Sequence, residues 1–210
     1  MIIRKILIIA SIILILQFVV FREKKVEYGP GVMVPSVPVQ VKIEEDISFR
    51  YKSFNIIPMA TIDMTAKILS KKNYYFDEEA NLCPIDIAVG WGNMSDESVL
   101  KNIDITQSNR WYYWSTENSE IARREIQRSS ANMHLIPSND SIKEAINKTG
   151  TGNIVKLGGI LVTAIMDNGR RWSSSLTRVD TGADSCELIW VENYEILDMN
   201  IKNNISNASN

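Results

Sequence analysis

Two apolar runs joined by Asp167-Asn168-Gly169 constrain this chain more than any other feature. Ile154 to Met166 is almost wholly apolar, and the Asp-Asn-Gly turn supplies the positive φ angles that fold such a strand straight back, here through Arg171 to Arg178. A polar loop, Val179 to Ser185, leads into Cys186 to Tyr194, a third strand. The stretch from Gly152 to Tyr194 therefore closes a β-domain. Within its first strand the pair Gly158-Gly159 predicts a bulge or a strong bend, as a small closed barrel requires.

Upstream, period-two alternation is clearest from Ala60 to Leu69. There Ala60, Ile62, Met64, Ala66 and Ile68 form one apolar face, opposite Thr61, Asp63, Thr65 and Lys67. Ser48 to Ile57 is expected to pair with this strand, Pro58 marking the break between them, and Val39 to Ile43 begins the first strand. Ile85, Ile87 and Val89 share a face of another strand, which ends where Gly90 and Gly92 flank Trp91. Ser95 reads as the N-cap of a helix over Asp96 to Asn102, and Glu117 to Ser129 as a second helix. Asn139, Asp140 and Ser141 cap a third, through Lys148. Arg110 to Trp114 and Ala131 to Pro137 are extended. The expected class is α+β: an N-terminal transmembrane helix, then a curved antiparallel sheet or small barrel with two or three short helices.

The transmembrane expectation rests on residues 2–21, which carry Arg4 and Lys5 and then no charge until Arg22. About twenty apolar residues suffice for a helix to cross a bilayer. A cleaved signal peptide is the rival, but the run ends in bulky Val20 and Phe21 without a small-x-small site. Residues 1–25 are thus read as a single-pass signal anchor in the inner membrane, with the C-terminal part on the periplasmic side. Residues 26–38, rich in Pro and Gly, read as a spacer, 39–199 as one domain, and the Asn-rich 200–210 as a disordered tail.

Outside the anchor, 18 basic residues face 24 acidic ones, about −6. No basic stripe accompanies them, which argues against a nucleic-acid partner. With one histidine and two cysteines at no ligand spacing, neither a metal site nor a cofactor is expected. Cys83 and Cys186 are a candidate long-range disulfide in an oxidising compartment, or two buried thiols.

Several residue sets carry chemistry if they meet in space. His134 could serve as a base for a serine among Ser173, Ser174 and Ser175, oriented by Asp180 or Asp184; no nucleophile-elbow motif supports this, and a structural histidine is the plainer reading. Pairing Cys186 with His134 is weaker, since oxidation would disable it. Paired carboxylates of the glycosidase kind could come from Asp180, Asp184 and Glu187. Trp91, Trp111, Tyr112, Tyr113, Trp114, Trp172 and Trp190 either fill the core or, in part, form a stacking platform for sugars or an anchor for a protein. Because Trp111 to Trp114 are consecutive, they cannot all face inward. Arg170, Arg171 and Arg178 flank the serine run and suit carboxylate or phosphate, or else cover a sheet face. The binding candidates are accordingly Trp111, Trp114, Trp172, Arg171 and Arg178.

The segment Gly152-Asn-Ile-Val-Lys-Leu-Gly-Gly-Ile-Leu-Val162, with the hairpin and strand after it, resembles the central strands of an OB-like small barrel. The run CPIDIAVGWGNMSD, RWYYW, SANMHLIP and RWSSSLTRVDTGADSCELIWVE loosely resembles a family of membrane-anchored bacterial proteins of unknown function. That resemblance implies no activity, and an OB-like barrel implies only a binding face. The functional expectation is a membrane-tethered envelope domain that binds a protein partner or a cell-wall glycan without catalysis. The alternative is an envelope hydrolase using His134 with a serine or an acid.

Overall fold

The computed structural model describes residues 25–76, 78–118, 120–177 and 186–199. The expected anchor over 2–21, Arg178, the loop 179–185 with Asp180 and Asp184, and the tail 200–210 lie outside the described residues. No helix among the described residues is long and apolar enough to cross a membrane.

The domain is mostly β-sheet, built around one long strand. Chain order is β1 (Val39–Lys42), β2 (Phe49–Tyr51), β3 (Phe54–Asn73), β4 (Ile85–Gly90), α1 (Glu97–Leu100), β5 (Asp104–Ser108), β6 (Trp111–Ser115), α2 (Arg123–Arg128), β7 (Ser130–Pro137), α3 (Asp140–Asn147), β8 (Ile154–Met166), β9 (Arg171–Ser173) and β10 (Glu187–Leu197). From Phe54 to Lys67, β3 pairs with β8; from Lys67 to Asn73 it pairs with β4. Since β4 pairs with β7, β7 with β10 and β10 with β8, the sheet returns to β3 and is partly closed in a ring. Four of the five ring contacts are antiparallel. The β7–β10 pair is parallel, so the sheet is antiparallel everywhere else in the ring but not there.

Curvature comes from register shifts at Pro58/Ala60, Ile68/Ser70 and Val191/Asn193, since an extra residue on one strand increases local twist and bend. Pro58 does not break the strand as expected: a shift falls beside it, and β3 runs through it unbroken for 20 residues. The bulge expected at Gly158-Gly159 in β8 lies instead on the strand opposite, where β10 carries it between Val191 and Asn193. Gly159 is required by it, because a Cβ there would sit 2.1 Å from Trp190 O.

The alternation read from the sequence holds: Ala60, Ile62, Met64, Ala66 and Ile68 are all buried and fill the ring with Ile87, Met133, Leu135, Leu157, Ile189 and Val191. Helix α3 closes it with Ile146, and Asn139 Oδ1 accepts from Ile142 N at 3.0 Å as the expected cap. A second cluster, around Phe54, Val162 and Leu188, packs where β2 and β9 cover the barrel. A third lies beneath the insertion between β4 and β7, where Tyr112 and Trp114 meet Leu69, Ala88 and Met94.

The expected spacer belongs to the domain instead. Val26 N donates to Thr151 O (2.9 Å), Met33 N and Val34 N donate to Ser95 Oγ (3.1 and 2.9 Å), and Gly92 N donates to Val34 O (2.7 Å). Val34 is buried in the main core. Pro and Gly are used here to strap the chain across the barrel, not to hold it away. Ser95, expected as a helix cap, is consumed by this strap. Asp96 caps α1 in its place, its Oδ1 accepting from Ser98 N at 2.8 Å.

Candidate functional site

Strand β7 places the site, because both its faces are buried. Ala131, Met133 and Leu135 point into the barrel. On the other face, Asn132 and His134 lie under the β5–β6 hairpin and the β8–β9 hairpin. In the neighbouring strand the same alternation turns Asp86 outward between Ile85 and Ile87, directly opposite His134. A carboxylate and an imidazole thus share a covered surface that burial would forbid either alone.

A third charged group completes the arrangement. The β5–β6 turn holds Asn109 at φ 51° and Arg110 at φ 67°, the two positive φ angles of a tight hairpin turn. It delivers Arg110 against the barrel: Nη1 donates to Cys83 O (2.7 Å) and to Asp86 Oδ1 (3.1 Å). The guanidinium lies 3.6 Å from the centre of the Tyr74 ring, and Arg110 N donates to the Tyr74 hydroxyl at 3.1 Å. His134 Nδ1 stands 2.9 Å from the same Asp86 oxygen, and the imidazole packs on Trp172 with ring centroids 4.7 Å apart. Burial, and next the charge of Asp86, hold the Tyr74 hydroxyl above its ordinary pKa. Asn132 ties the hairpin down, donating to Arg110 O (3.0 Å) while accepting from Gln107 Nε2 (2.7 Å).

Outward from this cluster opens a cavity of about 330 Å3. His134 and Arg110 form its floor, Trp111 and Trp172 its aromatic walls, and Arg170, Arg171 and Ser173 of the β8–β9 hairpin its rim. Glu79, from the β3–β4 connection, faces that rim. The same connection carries Tyr75, largely exposed, and Phe76, wholly exposed. Arg170 bridges Glu78 and Glu79 (3.1 and 3.0 Å), while Arg171 Nε donates to Ser173 Oγ (3.0 Å).

Three of the binding candidates, Trp111, Trp172 and Arg171, line this cavity; Arg178 lies outside the described residues. Trp114 does not line it: its ring faces the insertion core and lies beneath the Arg123 guanidinium, 5.4 Å away. Trp91 is core, and Trp190 packs edge-on against Phe49 and Tyr51.

The serine–histidine arrangement is not assembled among the described residues. Ser174 Oγ donates to Ser175 O (2.8 Å) and accepts from Leu188 N (3.1 Å), Ser173 Oγ bonds Thr163 Oγ1 (2.9 Å), and Ser175 Oγ bonds Thr177 O (3.1 Å). The acid nearest His134 is Asp86, whose Oδ1 lies 2.9 Å from Nδ1 without hydrogen-bond geometry; sequence reasoning passed it over although it is the one charge in an otherwise apolar strand.

Of the two readings of Cys83 and Cys186, the disulfide is not formed. The two cysteines precede β4 and β10, and β7 lies between those strands. Two inter-strand steps of about 4.8 Å already exceed the roughly 4.4–6.8 Å between Cα atoms that a disulfide allows. Cys186 instead lines the cavity, its Sγ 3.7 Å from Asn132 Nδ2. Among the described residues no three His, Cys, Asp or Glu side chains are placed to hold a metal ion.

No family model, curated protein or solved structure matches the chain.

Proposed function

We propose that this chain is a non-catalytic envelope binding domain, tethered to the inner membrane through residues 2–21, whose barrel receives a unit of a cell-wall glycan at the cavity beside His134. The ring supports an OB-like barrel. In chain order its strands are β3, β4, β7, β8 and β10; the third and fifth are parallel, and α3 sits between the third and fourth. OB folds bind oligosaccharides and oligonucleotides over their second and third strands, between the loop joining strands one and two and the loop joining four and five. The observation that carries the reading is that the cavity matches that position, with Glu79 from the first loop, Arg170 to Ser173 from the second and His134 from the third strand.

Two tryptophans and several polar side chains around a concavity suit a sugar ring, whose apolar face stacks while its hydroxyls bond. A protein partner, the other expected ligand, needs roughly 800 Å2 of matched surface on each side, far more than this cavity offers. The acidic balance outside the anchor disfavours an oligonucleotide.

The test is calorimetric titration of the full chain in detergent micelles with soluble peptidoglycan fragments. Binding that disappears in Trp172→Ala, with an unchanged circular dichroism spectrum, supports the reading; retention of full affinity in that variant refutes it. Tethering is checked by carbonate extraction of membranes, which should release the protein only when residues 1–24 are deleted.

The Asp86–His134 contact favours one second reading, a hydrolase in which Asp86 orients His134 as general base. It requires fragments to be released from purified peptidoglycan by the wild type and not by His134→Gln. Absence of release by the wild type excludes it.

A further inference from the structure

We infer that the glycan unit carries an acidic group, a carboxylate or a phosphate, and that Arg171 receives it; this rests on the cavity being the glycan site. Charge accounting around the cavity singles out Arg171. Arg110 is matched by Asp86 and Cys83 O, and Arg170 by Glu78 and Glu79. Arg171 lines the cavity with no carboxylate partner among the described residues; its contacts are Ser173 Oγ at 3.0 Å through Nε and Thr163 Oγ1 at 3.4 Å through Nη2.

Those contacts orient the guanidinium without neutralising it. Thr163 is fully buried and its hydroxyl is 2.9 Å from Ser173 Oγ, so a chain of hydroxyls fixed in the β8–β9 hairpin steadies one edge of the arginine. The rest of its five N–H donors stay available, and a planar fork held in place is the group that binds an oxyanion through two bonds. A neutral sugar would leave this positive charge uncompensated beside Trp172.

The test is titration of the full chain in micelles with three probes: a disaccharide of N-acetylglucosamine, the disaccharide in which one unit is N-acetylmuramic acid, and glucosamine 6-phosphate. An acidic probe should bind roughly tenfold or more tightly than the neutral disaccharide, the scale of one charge-assisted contact. Which acidic probe gains says whether carboxylate or phosphate is the group. Arg171→Gln should abolish the gain, Arg171→Lys should keep only part of it, and Arg170→Gln, whose charge is already matched, should keep more of it than Arg171→Gln. Equal affinity for neutral and acidic probes, or loss of the gain in Arg170→Gln but not in Arg171→Gln, overturns the assignment while the cavity reading stands. Absence of binding by every probe, with intact secondary structure, overturns both.

Discussion

Removing Asp86 should destabilise this protein more than removing almost any other charged side chain. Its carboxylate is fully buried, accepts from Arg110 Nη1 at 3.1 Å and lies 2.9 Å from His134 Nδ1. Asp86→Ala would remove a carboxylate partner of Arg110, of whose side chain only 15% is exposed, and the acid beside His134 beneath Trp172. Breaking one partner of a buried pair costs about 3–5 kcal/mol, because the remaining charge keeps its desolvation penalty and loses its compensation. For a domain of this size each kcal/mol lowers Tm by roughly 2–4 °C, so a fall on the order of 10 °C is expected. Thermal melts of the full chain in micelles, followed by tryptophan fluorescence, measure it. The double variant Asp86→Ala/Arg110→Ala removes both partners and should cost less than the two single variants added together, a coupling that a double-mutant cycle reads directly. A melt of Asp86→Ala within about 3 °C of the wild type, or simple additivity in the double variant, would refute a coupled buried cluster.

Three further outcomes are expected. Gly159→Ala should fail to fold or lose several kcal/mol, about what severe overpacking costs, whereas Gly158→Ala, whose Cβ meets nothing nearer than 3.6 Å, should be tolerated; equal melts for the two would contradict the close approach of β8 and β10. Ser95→Ala leaves two strap amides without their acceptor and should cost about 1–3 kcal/mol, with faster hydrogen exchange at Met33 and Val34; unchanged exchange there would show that the strap is held by other means. Burial pushes the Tyr112 hydroxyl from 10.0 up to about 12. Between those values the folded state holds a proton that the unfolded state has released, so stability should be flat below pH 10 and fall as pH rises toward 12. Urea midpoints across that range should show a shallower fall in Tyr112→Phe, and an identical slope in both proteins would count against it.

Local chemistry carried much of the fold into view. Asp167-Asn168-Gly169 announces its hairpin because only a few residues accept the angles it demands, and Gly169 sits at φ 84°. The alternation from Ala60 to Ile68 announces its strand because successive side chains must point to opposite faces. Asn139 announces α3 because its short side chain reaches the first free amides. Pro58 misled for the same local reason: proline usually ends a strand, and nothing nearby says that a bulge will absorb it.

What the sequence by itself determined, then, is most of the strands, though not β5, and the Asn139 cap of α3, with Trp111, Trp172, Arg171 and His134 among its candidates. Only the tertiary structure decided that β3 serves two neighbours and closes the ring, that β7 and β10 run parallel, and that residues 26–34 strap the barrel. It also decided that Arg110, 24 residues from Asp86 along the chain, is Asp86's counter-charge, and that Trp114 belongs to the insertion core while Trp111 belongs to the cavity. The physical reason is that turns and alternation are settled by a residue and its immediate neighbours. Strand order, the pairing of buried charges and the choice between core and cavity depend instead on which distant surfaces bury one another, and no local spacing encodes that.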